Sequence, residues 1–172
     1  KNPKELIFGI ARSTLLNVTI ADTKNWISRL SGGWGGVSAP SWQLLCSYLC
    51  TDGLPIDESP LFDPRNPFKN RDPRCTASIV EFGTQWLGFT YQPHPDTLKV
   101  KNWKTGGLVT NNDNRANAQF ASFNGMMFKK GIDEDWTDDY KAENTNFIMR
   151  YADVLLMYAE AKTELGEIDQ AM

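Results

Sequence analysis

The chain has 172 residues, the length of one domain or of a piece of a larger one. Its 18 basic and 21 acidic side chains give a net charge of -3, so the clustered positive charge that binds phosphate backbones is missing and nucleic acid is not expected as a partner. Hydrophobic residues make up 41% of the chain and charged residues 23%, which indicates a globular rather than a disordered protein.

No segment approaches the roughly 18 consecutive apolar residues that a membrane-spanning helix needs. The first ten residues, KNPKELIFGI, contain neither the apolar core nor the small-residue cleavage site of a signal peptide. We therefore expect either a cytosolic protein or a mature or truncated form of a longer one.

Three cysteines, Cys46, Cys50 and Cys75, are an odd number and do not fit a closed disulfide framework. We expect them to pack as small hydrophobic side chains. The single histidine, His94, stands between two prolines, so a metal site would lack ligands. Neither a metal nor another cofactor is expected.

The first fifty residues alternate short ordered segments with breakers. The apolar run Leu6–Ile10 predicts a buried strand. Four glycines within residues 31–36 exclude regular structure there, because glycine loses the most backbone entropy on ordering. Beyond Pro40, apolar residues follow helical spacing from Trp42 to about Cys50, which predicts a short helix.

The middle of the chain is rich in breakers and aromatic residues. Five prolines between residues 54 and 73 predict an ordered irregular loop, since each proline removes a donor and restricts its predecessor. Residues 83–114 indicate loops and short strands, with the Asn-Asn-Asp-Asn run at 111–114 as a polar surface stretch.

The last element is the clearest. No proline or glycine occurs between Asn146 and Leu165, and apolar residues cover nearly the whole circumference of the predicted helix, which is typical of a buried one. Gly166 is placed to end this helix, and residues 167–172 predict the start of a second. The pattern resembles the tetratricopeptide hairpin at three small residues: Ala159, Gly166 and Ala171.

We therefore predict a mainly α fold, in which a tetratricopeptide-like helical hairpin over residues 146–172, its second helix truncated, supports long ordered loops and a few short strands. A lone half-repeat cannot bury its own faces. Residues 1–172 are accordingly predicted to be one region, a fragment of a larger domain.

Four segments in order resemble the SusD/RagB family. Residues 146–161, NFIMRYADVLLMYAEA, with Leu165-Gly166 after them, are similar to its RYA-(D/E)-VLLMYAEA-x3-LG signature. The earlier similarities are Leu6-Ile7-Phe8 behind Glu5, the helix after Pro40 with the Asp52-Gly53 turn, and the Asn-Arg-Asp-Pro-Arg element at 70–74. Together they extend from about residue 4 to residue 172.

This resemblance implies a non-enzymatic lipoprotein of the outer membrane and cell surface. Such proteins bind glycans and pass oligosaccharides to a SusC-like TonB-dependent transporter, and their folds are mostly helical. The resemblance also implies that membrane attachment is only through a lipid anchor, and the family's lipoprotein cysteine is absent from this chain. The family's ligand residues are not strict enough to be assigned to positions here.

The candidate glycan contacts come from the chemistry of sugars, whose C–H faces stack on aromatic rings while their hydroxyls bond planar polar groups. Aromatic residues on ordered loops are the natural choice: Trp34, Trp86, Tyr91 and Trp103. Packing within the loops is the alternative for each of them. We expect alanine at the three tryptophans together to abolish oligosaccharide binding without unfolding the protein.

A second group of motif residues is expected to have structural roles. Arg71 can form a bidentate pair with a carboxylate, Asp72 can cap the turn before Pro73, and Arg150 can pair with Asp153 on the helix. The complete group is Asp52, Gly53, Arg71, Asp72, Arg74, Arg150, Tyr151, Asp153 and Glu160.

Two other functions stay open. A glycoside hydrolase needs a pair of carboxylates, and the acidic run within residues 133–139 could supply them, yet no known catalytic motif accompanies it. A tetratricopeptide-type scaffold would bind peptides, although the aromatic middle of the chain does not fit a plain repeat array.

Overall fold

The computed structural model describes residues 4–13, 15–20, 23–35, 37–114, 116, 121–132 and 145–167. The strands are β1 (Leu6–Ile10), β2 (Gln85–Trp86), β3 (Phe89–Thr90), β4 (Lys99–Lys101), β5 (Leu108–Thr110) and β6 (Asn146–Arg150). The α-helices are α1 (Trp42–Ser47), α2 (Pro73–Ser78) and α3 (Tyr151–Glu164), and a 3-10 turn spans Thr23–Asn25. The chain divides into two compact units, Lys1–Thr19 with Glu143–Met172, and Ile20–Ala142.

The prediction of a mainly α fold is wrong. In the described part of the chain the α-helices have 6, 6 and 14 residues, and the strands form antiparallel pairs, β1 with β6, β2 with β3, and β4 with β5. The physical reason lies in the prolines and in the glycines with positive φ, such as Gly53, Gly83 and Gly106, which recur in the connections between the elements and disfavour long helices there.

The predicted tetratricopeptide-like hairpin differs from the structure at its beginning. Residues 146–150, predicted to be helical, form β6 and pair with β1, which is a strand as expected but largely exposed. The Tyr151 N–H then donates to Glu5 O, and the Arg150 N–H donates to Asp153 Oδ2 at 3.1 Å. Helix α3 therefore begins five residues late. The predicted second helix falls mainly on residues 168–172, outside the described residues.

Helix α3 is also more exposed than its apolar composition predicts. None of its residues is buried, and Leu156 and Tyr158 are 69% and 56% exposed. Gly166, at a φ of 69°, follows the helix and donates its N–H to Thr163 O, the arrangement expected of a terminating glycine.

The described core lies in the unit that spans Ile20–Ala142. One cluster packs around α1 and α2 and contains Leu45, Phe68, Cys75, Ile79 and Met126. The other lies beneath β2 and β3 and contains Val80, Trp86, Tyr91 and Met127. Phe82 contacts both clusters, because its ring lies 5.0 Å from that of Phe68 and 6.3 Å from that of Tyr91.

Arg71 fixes the proline-rich loop, through partners other than the expected carboxylate. This buried side chain donates to the carbonyl oxygens of Pro67 (2.8 Å), Leu45 (2.6 Å) and Tyr48 (2.7 Å). The last two carbonyls lie at the end of α1, where a helix leaves acceptors unsatisfied and a cation is favourable. Arg71 thus joins the end of α1 to the loop that precedes α2.

The neighbouring motif residues order the turns on both sides. Asp72 caps α2 by accepting from the Arg74 N–H at 2.8 Å, and the Arg74 guanidinium lowers the pKa of Asp72 to about 2. Asp52 accepts from the Leu54 N–H and from the Ser59 hydroxyl, while Gly53 adopts a φ of 81°.

Candidate functional site

Trp103 presents an indole ring at the surface in a fixed position. It follows β4 and is 46% exposed. Its backbone N–H donates to Gly88 O at 2.9 Å, and its Nε1–H donates to Thr90 Oγ1 at 3.0 Å. The Lys101 Nζ lies 3.8 Å from the ring centroid. The ring is therefore held by two hydrogen bonds and a cation–π contact.

A cleft of about 490 Å³ opens in the same unit. Phe82, which packs against both core clusters, is one of its lining residues. Its walls carry planar polar side chains: Arg65, Asn66, Glu81, Gln92 and His94. An aromatic lining residue with planar donors and acceptors around it suits a ligand that has both C–H faces and hydroxyl groups.

Residues 90–92 connect the Trp103 ring with the cleft. Thr90 accepts from the indole, and Gln92 lines the cleft. Two residues of extended chain span at most about 7 Å. The residue that holds the indole and a residue that lines the cleft are therefore close together in the chain.

Buried amides hold the loop that carries Gln92 and His94. Asn111 donates through Nδ2 to Gln92 O and Thr97 O, each at 2.7 Å, and Asn114 donates to Thr97 O at 2.5 Å. Both asparagines are fully buried, which contradicts the prediction that residues 111–114 form a surface stretch. Only Asn112 of the four is exposed.

The other exposed candidate, Trp34, lies on a tightly folded glycine loop. Its N–H donates to Lys24 O at 2.7 Å, and Gly33 and Gly35 donate to the backbone of residues 27–28. A Cβ atom on Gly33 would lie 2.3 Å from the backbone oxygen of Ile27, so only glycine fits there. Trp34 itself is 46% exposed.

Asp113 anchors the start of this loop. Its Oδ1 accepts from the Arg29 N–H at 2.6 Å, and the residue is 3% exposed. Burial raises the pKa of the Asp113 carboxyl from 3.8 to about 6, although hydrogen bonds from the backbone of Arg29 and the side chain of Ser28 act in the opposite direction. Residues 111–114 thus support both the Trp34 loop and the wall of the cleft.

The structure separates the four predicted contacts into two pairs. Trp34 and Trp103 are exposed, whereas Trp86 and Tyr91 are each 2% exposed and belong to the core. The Tyr91 hydroxyl donates to Gly125 O at 2.7 Å, and burial raises the pKa of Tyr91. We expect alanine at Trp86 to destabilise the core, so the triple tryptophan variant is not a clean test of binding.

The remaining predicted residues lie away from these features along the chain. Arg150 pairs with Glu5 at 3.5 Å, and Tyr151 and Glu160 are exposed on α3. The acidic run within 133–139 lies outside the described residues. Among those that are described, no group of three or more acidic, His or Cys side chains is arranged to hold a metal. Likewise, none of the described helices is both long enough and apolar enough to cross a membrane.

Comparison with known sequences assigns the chain to a protein family. The pattern of the SusD family matches residues 4–172. The chain belongs to the SusD family. The search of curated proteins finds no match.

Two solved structures are similar to this SusD-family chain. One is described as a SusD-like carbohydrate binding protein from Bacteroides fragilis; it is 29% identical, has a TM-score of 0.72, and is matched over 98% of this chain and 31% of its own. The second, a SusD-like protein from the same species, is 26% identical, has a TM-score of 0.54, and is matched over 97% of this chain and 34% of its own. The chain thus spans about a third of the length of these proteins.

The cleft of this SusD-family chain is not evident from the sequence. Its lining comes from residues 65–69, 81–82 and 92–97, which no single motif joins. In the sequence, Gln92 is simply the residue between Tyr91 and Pro93, and His94 is the residue between two prolines. The paired asparagines at 111 and 114 were the available signal, since buried amides commonly hold loops by bonding their carbonyls.

Proposed function

We propose that this chain binds glycans without covalent chemistry, with the exposed faces of Trp103 and Trp34 stacking on sugar rings and the nearby cleft bonding hydroxyls. The observation that carries the proposal is the Trp103 ring, fixed at the surface by its bonds to Gly88 and Thr90. A ring that is already ordered loses little side-chain entropy when a ligand stacks on it.

The polar groups of the cleft support the same function. Asn66 and Gln92 each offer a donor and an acceptor in one plane, and Arg65 and Glu81 add charged partners. Membership of the SusD family and similarity to a carbohydrate binding protein favour a glycan over other ligands that have both polar and apolar faces.

We further propose that the whole protein is a non-enzymatic lipoprotein of the outer membrane and cell surface that passes oligosaccharides to a SusC-like TonB-dependent transporter. The family resemblance supports this role. A transporter gene beside the gene for this chain, and co-purification of the two proteins from membranes, are the expected results. Separate purification and unlinked genes would contradict the delivery role.

The binding proposal is tested with single Trp34→Ala and Trp103→Ala variants of the full chain. Isothermal titration with a panel of neutral and acidic oligosaccharides is expected to show affinities about five- to thirtyfold weaker for Trp103→Ala, because stacking on one ring contributes roughly 1–2 kcal/mol. Trp42→Ala is the matched control, since Trp42 is 47% exposed on α1, outside the proposed site.

Two results would contradict the proposal. Equal affinities for the Trp34, Trp103 and Trp42 variants would remove the site assignment. Release of new reducing ends from a bound glycan would favour the hydrolase alternative. The peptide-binding alternative depended on a mainly α repeat fold, whereas the described residues contain three α-helices of 6, 6 and 14 residues among short antiparallel strands.

A further inference from the structure

The hairpin that carries Trp103 has a charge opposite to that of the chain. The hairpin formed by β4 and β5, residues 99–110, contains Lys99, Lys101 and Lys104 and no acidic residue, whereas the whole chain has a net charge of -3. The three positive charges of the hairpin thus lie within six residues.

Strand geometry places these lysines on the exposed side. Val100 is 4% exposed, so Lys99 and Lys101, on either side of it, point away from the core. All three lysines are exposed. Within the described ranges, the ion pairs formed involve other residues, and none includes Lys99, Lys101 or Lys104.

One lysine ammonium group stands beside the stacking ring, and the stem of a second lysine lies over the glycine that Trp103 bonds. Lys101 Nζ is 3.8 Å from the Trp103 centroid. The stem of Lys104 packs over Gly88, where an added Cβ would lie 2.8 Å from Lys104 Cε. A neutral sugar on the Lys101 side of the ring must displace an ammonium from a favourable contact, whereas a sugar with a carboxylate or sulfate gains an ion pair from it.

We propose that this hairpin selects acidic glycans, those with uronic acid carboxylates or sulfate esters, with Trp103 stacking on a sugar and Lys101 and Lys104 pairing with its acidic groups. The inference rests on the proposed glycan binding and names the class of its ligand. Lys99, on the same face of β4, extends the positive surface along the hairpin.

The test uses the full chain and two pairs of polymers matched in backbone and differing in charge: carboxymethylcellulose with hydroxyethylcellulose, and polygalacturonate with its methyl ester. Affinity electrophoresis and titration at 20 and 200 mM salt are expected to show at least tenfold tighter binding of the acidic member at low salt, with the preference shrinking at high salt.

Variants separate charge from stacking. Lys101→Gln with Lys104→Gln is expected to weaken binding of the acidic polymers about tenfold more than binding of their neutral partners, so that the acidic preference is lost. Lys4→Gln with Lys130→Gln, which removes two exposed charges elsewhere, is the matched control. Circular dichroism and thermal unfolding check that each variant is folded.

The outcomes distinguish a failure of the acidic preference from a failure of glycan binding. Equal binding of acidic and neutral polymers, or an unchanged preference in the hairpin variant, would overturn this inference and leave glycan binding standing. Equal competition by polyacrylate, which has charge but no sugar, would overturn it as well. Failure of every glycan to bind would overturn the proposed function itself.

Discussion

At the scale of single residues, Asp113 is a buried carboxyl group that bonds a distant loop. A carboxylate that is 3% exposed, with Oδ2 unbonded to any described residue, holds the backbone at Arg29 and so the start of the Trp34 loop. A buried charge with incomplete partners costs stability. We infer that folding tolerates this cost because Asp113 also fixes a loop with a surface tryptophan.

Asp113 is expected to make the stability of the fold depend on pH. The folded-state pKa of about 6 exceeds the ordinary 3.8, so the penalty on the ionised form is complete above pH 6 and disappears as pH falls toward 4. The difference corresponds to roughly 3 kcal/mol. Urea unfolding from pH 4.5 to 7.5 is therefore expected to show Asp113→Asn gaining stability relative to wild type as pH rises, by about 2 kcal/mol.

Any effect of the new amide that does not depend on pH, such as a packing cost, adds the same amount to the stability difference at every pH. It therefore does not affect the change in that difference with pH. Asp57→Asn, at an exposed carboxylate, controls for the loss of one negative charge. A stability difference between Asp113→Asn and wild type that stays flat from pH 4.5 to 7.5 would show that the carboxyl is not desolvated as described.

At the scale of elements, the cleft wall depends on hydrogen bonds from a segment that follows it in the chain. Asn111 donates to carbonyls at both ends of the loop from Gln92 to Thr97. Asn111→Leu keeps the volume and removes both donors. We expect a loss of about 2–6 kcal/mol in unfolding free energy, since each of the two abandoned acceptors costs about 1–3 kcal/mol.

The functional part of this prediction has its own measurements. Hydrogen exchange at residues 92–98 is expected to accelerate, and glycan affinity to fall about tenfold, because Gln92 and His94 lose their fixed positions. Asn112→Leu, at the exposed neighbour, is the matched control. Unchanged exchange in the loop of Asn111→Leu would mean that other contacts position it.

Local signals predicted some elements and long-range partners decided the others. The strand at Leu6–Ile10, the helix after Pro40 and the glycine after α3 follow from residues close together in sequence. Strand β6 does not, because Asn146–Arg150 reads as helix until β1, some 140 residues earlier, is known to pair with it.

The candidate site, like the elements, was predicted only in part from the sequence. The chemistry of tryptophan suggested Trp34 and Trp103, but the same reasoning selected Trp86 and Tyr91, which pack against Val80 and Met127. Local sequence does not distinguish an indole on the surface from one in the core. The buried Asn-Asp-Asn set was missed for the same reason, since its carbonyl and N–H partners lie 14 or more residues away.

At the scale of the whole molecule, burial is confined to one part of the chain. Every buried residue that the structure describes lies between Thr23 and Met127, within the unit Ile20–Ala142. The described residues of the other unit, β1, β6 and α3 among them, are exposed or half-buried. Since buried apolar area is the main source of stability, the larger unit holds most of what stabilises this chain.

We therefore expect residues 20–142, produced alone, to unfold cooperatively on heating and to bind glycans within about twofold of the full chain, because Trp34, Trp103 and the cleft all lie within it. Calorimetry measures the unfolding transition, and titration measures the glycan affinity. Trp86→Ala in the same shortened chain provides the contrast: deleting a core indole costs about 3–5 kcal/mol, so its transition should fall sharply or vanish. A gradual, non-cooperative transition of residues 20–142 without that substitution would show that the core clusters need the rest of the chain to hold together.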